Sequence, residues 1–490
     1  MVERRQLGRS QSLVEGLTLF FLFVCAVTAG AQPAVTGTIS NVTRVESWRY
    51  FQPQGDPLAL PPPGSAPLGD PDYTFLGDRA ELGVRVKGAR FDFSGAFNYV
   101  RLENLPTNAI GPGGLGSGAF YFAATGLRYS YQLYFSELTA RIKSKDERTS
   151  FTIGRMPFAS GGEYTRPQSY VEQVKPERLH SGMIGNFEWS MYQRRFDGAR
   201  FDHDRDRWHF TAAAFMPTQG GFEESTNLTM PRIQIGDVAV EHKGNDRALQ
   251  VFGYYYRDRR DTKAVVDNTR SFDAPVDVTI ATFGASYVYM LPWFFAATDL
   301  VAWGAVQTGD WYGRDHVASS GAIEFGHLFA GGPGKPWLRG GFLWASGDRD
   351  AADDRHGTFF QMLPSSRKYT LSSTYAQMNV RDAYAQLLVE PRRFKARIEV
   401  HAVHLASGAD LWYQGSGATA SEGRFFGFSG RAAGGETSLG TVLEGAIDVP
   451  IRKHWSINGY AGTMSAGPVV RNWFTNRRLT FWSVENVVRF

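Results

Sequence analysis

The chain has 490 residues, with 52 basic and 48 acidic side chains, a formal charge of +4 and an aromatic share of 14%. This small positive excess is too low for a protein that binds nucleic acid. The one cysteine, Cys25, lies near the N-terminus, so a disulfide framework and a thiolate metal site are both excluded from the rest of the chain. We therefore expect no cofactor and no metal.

The N-terminus has the pattern of a secretory leader. Arginines at the start form a basic region, Leu17–Val27 is an apolar run, and Ala29–Ala31 offers a cleavage site between small residues. The run is too short to cross a bilayer as a helix, which needs about 20 residues. We predict a cleaved signal peptide at residues 1–31 and one domain at residues 32–490. An uncleaved anchor is the alternative.

Beyond the leader, apolar and polar residues alternate with period two in segments of about ten residues, the length of a tilted membrane-spanning strand. RAELGVRVK shows this pattern at residues 79–87, and FKARIEVHA shows it at residues 394–402. RFDFSGAFNY and SLGTVLEGAIDV, at residues 90–99 and 438–449, repeat it. No later segment offers a spanning helix, and only a closed barrel can then satisfy the backbone in lipid.

The connections between these segments alternate between eight short turns and nine long loops, one of which is expected at Gly309–Val317. The sequence therefore predicts an all-β fold, a transmembrane antiparallel barrel of 18 strands with short periplasmic turns and long extracellular loops. Sixteen strands would result if a weak hairpin near Val238 or Ala318 were misread. The last segment ends on Phe490 and resembles the signal read by the barrel assembly machinery of the bacterial outer membrane.

An acidic stretch, WASGDRDAADDRHGTFFQMLP, falls in the seventh long loop. As a calcium loop of the EF-hand type it fails, because Asp353 stands where glycine is needed and Phe359 where glutamate is needed. A solvated acidic loop and an irregular cation site remain the two interpretations.

Three segments resemble the outer-membrane alginate export family. They are ASGDRDAADDRHGTFFQMLPSSRKY at residues 345–369, FTIGRMPFASGGE at 151–163 and IGNFEWSMYQRRFDGARF at 184–201. The resemblance implies an 18-stranded barrel whose narrow, electropositive lumen passes an anionic polyuronate outward. One departure is Met156-Pro157, where the family often has glutamine after Gly-Arg; Pro157 should end that strand early.

The resemblance also carries specific residues onto this chain. It implies a loop motif with these members: Ser346, Gly347, Asp348, Asp350 and Asp353. It implies barrel-wall motifs at Gly154-Arg155 and at Arg195–Gly198 with Arg200.

Strand parity places many basic residues on the inner face. Of the 52 basic residues only 10 are lysine, and guanidinium groups bind carboxylates in a bidentate manner. Parity and the motifs together predict these pore-lining, anion-binding residues: Arg79, Arg85, Lys87, Arg141, Arg155, Arg195, Arg200, Lys395 and Arg397. Parity also turns acidic residues inward, namely Glu81, Glu137, Asp202, Glu399 and Glu444. The lumen is therefore mixed, and structural ion pairs are the alternative role of the basic residues.

The function predicted from these features is a channel for an anionic polysaccharide or oligosaccharide across the outer membrane. An uptake porin for small anionic solutes or sugars is the alternative, since an exporter also needs a periplasmic delivery complex and the sequence does not show one. An outer-membrane enzyme is a distant third. The only tempting groups for it are His180-Ser181 and Asp353-Asp354, and no H-E-x-x-H or G-x-S-x-G motif occurs. The expected surroundings are outer-membrane lipid, with no nucleic acid.

Overall fold

The structure, a computed structural model, describes residues 33–53, 69–113, 115–164, 170–222, 228–262, 267, 269, 275–291, 298–329, 331–365, 369–423, 425–475 and 478–490. The predicted signal peptide lies outside the described residues. No helix among the described residues is long and apolar enough to span a membrane.

Eighteen long strands form one antiparallel sheet. In chain order they are β1 (Ala34–Arg49), β2 (Asp72–Lys87), β3 (Phe91–Glu103), β4 (Ser130–Lys143), β5 (Thr149–Met156), β6 (Phe196–Arg205), β7 (Trp208–Pro217), β8 (Ile233–Lys243), β9 (Arg247–Asp258), β10 (Val278–Leu291), β11 (Thr298–Trp311), β12 (Arg314–Leu328), β13 (Trp337–Ala345), β14 (Val380–Val389), β15 (Lys395–His404), β16 (Ser438–Arg452), β17 (Trp455–Ala466) and β18 (Arg478–Arg489).

The sheet closes into a barrel because β18 pairs with β1 as well as with β17. At the seam, the backbone groups of Ile39 and Phe490 exchange two hydrogen bonds, at 3.1 and 2.8 Å. The predicted architecture of 18 strands is therefore confirmed. The two hairpins that the sequence left in doubt are both present, since Val238 lies in β8 and Ala318 in β12.

The register gives the barrel an apolar outside and a mixed inside. In β18, Trp482 and Val484 point outward and are 44% and 46% exposed, whereas Phe481 and Ser483 point inward and are buried. This alternation is what a membrane barrel requires, because lipid-facing and lumen-facing residues alternate along every strand.

Short turns lie at the barrel end that carries the start of β1 and the end of β18, and the long loops lie at the other end. One predicted long loop is wrong. Gly309–Val317 is part of a continuous hairpin in which Trp311 pairs with Arg314. Tyr312 and Gly313 form its two-residue turn with φ of 55° and 83°. Positive φ at both turn residues is the type I′ geometry that suits tight hairpins.

In the part of the long loops that the structure describes there are three short helices: α1 (Ser117–Thr125), α2 (Tyr170–Arg178) and α3 (Pro468–Arg471). The loop that contains residues 411–415 and 428–432 forms its own small hairpin. Loop side chains such as Tyr121, Phe360 and Trp412 are at most 1% exposed and belong to the same apolar cluster as inward strand residues. The loops thus pack into the extracellular half of the barrel.

Candidate functional site: the barrel lumen

The loop between β5 and β6 enters the lumen, and α2 in this loop binds the barrel wall. The Lys175 ammonium lies 2.7 and 2.8 Å from the two carboxylate oxygens of Glu241 on β8. The Arg178 guanidinium donates to both oxygens of Glu324 on β12, at 2.7 and 3.1 Å. All four side chains are 3% exposed or less.

The same helix also reaches a third wall position. Glu177 lies 3.6 Å from the ammonium of Lys395 and 3.5 Å from the guanidinium of Arg397, both on β15. Strands β8, β12 and β15 are separated from one another around the ring by at least two other strands. Helix α2 therefore links separate parts of the wall across the lumen.

Arg178 belongs to a buried chain of alternating charges. Glu324 accepts from Arg178 and, at 3.2 Å, from Arg339, which in turn contacts Asp299 at 2.5 Å. Burial alone lowers the pKa of Arg178, but the Glu324 carboxylate raises it above the usual range, so the guanidinium stays charged. Two cations and two anions cancel, which makes burial of the chain tolerable.

Arg194 holds several loops together. Its guanidinium is fully buried and donates to the backbone carbonyls of Leu363, Ser416 and Ala418 at 2.9, 2.9 and 3.0 Å. Burial lowers its pKa to about 10, which still leaves it charged at neutral pH. Since the carbonyls come from two other long loops, one side chain fixes three loops in one arrangement.

Of the predicted lumen residues, Arg79, Arg85 and Lys87 share the inward face of β2 with Glu81. Arg79 donates to the backbone carbonyls of the β5–β6 loop at 3.3 and 3.5 Å. Arg85 and Lys87 are exposed near the turn that follows β2. Within the described residues none of these three cations forms a salt bridge with a carboxylate.

The two barrel-wall motifs bind each other. Arg155 and Asp197 are register partners and form a bidentate ion pair at 2.7 and 2.8 Å. Beside them, Gly154 pairs with Gly198 and has φ of 117°, and a Cβ atom there would lie 2.1 Å from the Leu138 carbonyl oxygen. The close approach of this carbonyl and the positive φ therefore require glycine at this position. The strand ends at Met156, as predicted from the proline that follows.

The remaining predicted cations have polar partners in most cases. Arg200 contacts Asp202 at 2.7 Å, and Arg397 contacts Glu399 at 3.3 Å in addition to the helix. Arg141 is 42% exposed and lies 3.8 Å from Asp92. Arg195 bonds the Ser136 carbonyl at 3.1 Å and the Gln193 side chain at 2.8 Å. Local ion pairs thus neutralise several of the inward arginines.

The acidic loop motif after β13 caps its own backbone. Asp348, Asp350 and Asp353 each accept a hydrogen bond from the amide two residues further on, at 2.9, 3.0 and 2.8 Å. Ser346 bonds the start of the loop to β12, and Gly347 leaves no room for a Cβ atom, which would lie 1.9 Å from Asn379. The spacing of the aspartates is accounted for by consecutive Asx turns.

Sequence reasoning missed Lys175, Arg178 and Arg194, the residues that fix the loops inside the barrel. Strand parity says nothing about a loop, and their partners are far away in the chain. The available signal was the charged run EQVKPER in a loop too long for a simple connection. Arg155 and Arg200 were named, but the sequence did not identify their carboxylate partners.

A family model described as alginate export matches residues 132–478, which is more than half of the chain. The chain belongs to the alginate export family. Its β-barrel is of the porin type and lies in the bacterial outer membrane, as the resemblance of the three segments predicted. No curated protein matches the chain.

Solved structures of outer-membrane proteins share the fold at low sequence identity. Pseudomonas aeruginosa OccK2 (OpdF), in complex with glucuronate, has a TM-score of 0.54 and 8% identity, with 94% of this chain and 99% of that chain covered. Pseudomonas aeruginosa OccD3 (OpdP) has a TM-score of 0.53, 10% identity and coverages of 94% and 93%. Acinetobacter baumannii OccAB2 has a TM-score of 0.53, 8% identity and coverages of 93% and 98%. These likenesses show the fold.

Proposed function

We propose that this alginate export family barrel is a channel for anionic saccharides, with carboxylated sugars of the uronate type as its substrates and a polyuronate as the polymer it exports. The observation that carries the proposal is the row of inward cations on β2. Arg85 and Lys87 are exposed and have no salt-bridge partner within the described residues, so their charge is available to a passing anion, whereas Arg79 on the same face is bonded to loop carbonyls.

Such a row suits a carboxylated sugar chain. Each uronate unit carries one carboxylate, and arginine can bind it through two parallel hydrogen bonds. Conduction also requires that no single site binds too tightly, so that the anion moves on to the next site. Arginines that already have a partner, such as Arg200 with Asp202, would offer weaker sites along the same path.

Uptake of small uronates is the second candidate, and two observations favour it. The lumen is crossed by α2, which a small solute can pass more easily than a polymer can. The Pseudomonas aeruginosa proteins OccK2 and OpdK, which share the fold, were solved with glucuronate and with vanillate, both carboxylates. Export of a polymer would require α2 to leave the wall. Neither candidate includes a catalytic activity.

Ion selectivity in planar bilayers tests the proposal. The wild-type channel should favour chloride over potassium, and Arg85→Glu with Lys87→Glu should lower or invert this preference. The matched control is Arg101→Glu with Arg257→Glu, the same change of charge at exposed positions on the outward faces of β3 and β9. The control should leave selectivity unchanged, because these side chains do not face the ion path.

Blocking experiments separate the candidates. Oligouronates should reduce the wild-type current more than neutral oligosaccharides of equal length. Equal block by both, or a cation-selective wild-type channel, would overturn the proposal in favour of a porin for neutral solutes. If glucuronate permeates in liposome swelling while longer oligouronates only block, uptake of small uronates is favoured over export.

A further inference from the structure

A second group of ionisable side chains lies in the wall formed by β15 and β16. Glu399, His401 and Glu444 are 3%, 1% and 2% exposed. One ring nitrogen of His401 and one carboxylate oxygen of each glutamate all lie within 4.8 Å of one another. The two glutamates are also register partners on neighbouring strands, so their side chains lie side by side on the inward face.

The histidine is oriented for a ligand. Its Nδ1 lies 2.9 Å from the Asp382 carboxylate on β14, which accepts a hydrogen bond from that nitrogen. The other ring nitrogen, Nε2, is buried and has no hydrogen-bond partner among the residues that the structure describes. Histidines that bind a metal through one ring nitrogen commonly donate a hydrogen bond from the other nitrogen to a carboxylate. This hydrogen bond fixes the tautomer and the orientation of the ring.

Three carboxylates in this wall face one nearby cation. Among the described residues, Arg397 is the one arginine or lysine that forms a salt bridge with any of Glu399, Glu444 and Asp382; its Nε lies 3.3 Å from Glu399, and it also contacts Glu177 on α2. Two like charges directly opposite each other on neighbouring strands are destabilising. A histidine that binds a metal must be neutral, and in that form the three ionised carboxylates and Arg397 have a net charge of −2, which a divalent cation would balance.

The geometry points to a binding site for a divalent first-row transition metal ion, with Glu399, His401 and Glu444 as its protein ligands. One imidazole nitrogen and two carboxylate oxygens form a set of three that Zn²⁺ accepts, with a fourth position open to water or to another oxygen donor. Tetrahedral ligands of Zn²⁺ lie roughly 3.4 Å apart, given metal–ligand distances near 2.1 Å. The ligand atoms, which lie within 4.8 Å of one another, would have to move closer together by at most about 1.4 Å, which rotation of the glutamate side chains can provide.

Surrounding contacts leave one oxygen of Glu444 open and suggest what the ion would do. Glu444 Oε1 accepts only from the amide of Leu371, at 2.7 Å, among the described residues, so it keeps a further lone pair for an ion. Its Oε2 accepts from the Tyr460 hydroxyl at 2.8 Å and from the amide and hydroxyl of Ser372, both at 3.3 Å. Leu371 belongs to the loop that carries the acidic motif. A bound ion would therefore hold the β15–β16 wall and this inserted loop through the same carboxylate.

Direct metal titration tests the site. The protein is purified in detergent, stripped with a chelator and titrated calorimetrically with Zn²⁺, with Ca²⁺ and Mg²⁺ as comparisons. Wild type should take up one equivalent of Zn²⁺ more tightly than Ca²⁺ or Mg²⁺. His401→Gln should weaken this binding by about 100-fold or more, and Asp382→Asn by about 10- to 100-fold, the usual effect of losing an outer partner.

His404→Gln is the matched control. His404 lies on the same strand, faces outward and is exposed, so its replacement should leave Zn²⁺ binding unchanged. Folding of every variant is checked by its heat-dependent mobility on gels. If His401→Gln fails to fold, Glu399→Gln replaces it as the variant that removes one metal ligand. Absence of a Zn²⁺ equivalent in wild type, or equal binding by wild type and His401→Gln, would overturn the proposed metal site.

Discussion

Replacing Arg178 should release α2 from the barrel wall. Arg178 and Glu324 are 3% and 0% exposed, and the change Arg178→Ala leaves the carboxylate with Arg339 alone. Breaking one side of a buried ion pair costs roughly 3–5 kcal/mol, and we expect the lower end because Arg339 remains. A loss of about 3 kcal/mol corresponds to a roughly 100-fold rise in the fraction of molecules whose helix has left the wall.

Two measurements follow this change. Amide exchange in α2 should accelerate, and single-channel recordings should show more frequent steps to a higher conductance. Arg178→Lys should give an intermediate effect, since it keeps the charge and loses the bidentate contact. Arg141→Ala is the control, because Arg141 is 42% exposed, lies 3.8 Å from Asp92 and should contribute little.

The reasoning fails if Arg178→Ala folds normally and shows wild-type exchange in α2 together with wild-type conductance. The helix would then be held by its neighbours on either side, Lys175 with Glu241 and Glu177 with β15. A faster exchange without any change in conductance would keep the ion pair as a stabilising contact and remove α2 from the ion path.

Two further predictions concern the acidic loop and Gly154 on β5. Burial lowers the pKa of His356 to about 3 and raises that of Asp410 to about 6. Acidification from pH 7 to 4 therefore destabilises the folded loops through the histidine and stabilises them through the aspartate, by about 3 kcal/mol each. Asp410→Asn should therefore make the loops less stable in acid than they are in wild type. Amide exchange at residues 346–358, corrected for intrinsic rates, should then be faster in the variant at pH 4. An equal pH dependence of exchange in the variant and wild type would contradict this. Gly154→Ala should impair barrel assembly, because the new Cβ atom would clash with a strand carbonyl and φ is positive at this residue. Heat-dependent mobility on gels measures assembly. Gly37→Ala is the control and should assemble normally, because there is open space around Gly37.

The strands were predictable because lipid imposes a simple rule on them. Inward and outward residues alternate, so Arg79, Arg85 and Lys87 could be assigned to one face of β2 from the sequence alone. Turn length was less certain. The polar stretch Gly309–Val317 resembled a loop, but its strands continue to a two-residue turn that depends on backbone angles and not on polarity.

The interior was much less predictable, because it depends on contacts between distant parts of the chain. Glu324 pairs with Arg178 from a loop, and no pattern near either residue indicates the other. The Glu399-x-His401 pair was visible as two polar residues on one strand face. Its third member, Glu444, came close only when the register of β15 and β16 was known.

The seam of the barrel has a consequence for how the molecule is made. The backbone of Ile39 bonds that of Phe490, and Arg44 donates to Glu485 at 2.6 Å, so the ring is joined by residues from opposite ends of the sequence. Contacts of such long sequence separation form late and slowly, since the entropy of the intervening chain must be lost first. Until β18 is in place, β1 and β17 both present unpaired edges, so a chain truncated before its last strand has a sheet with two edges that can pair with other chains.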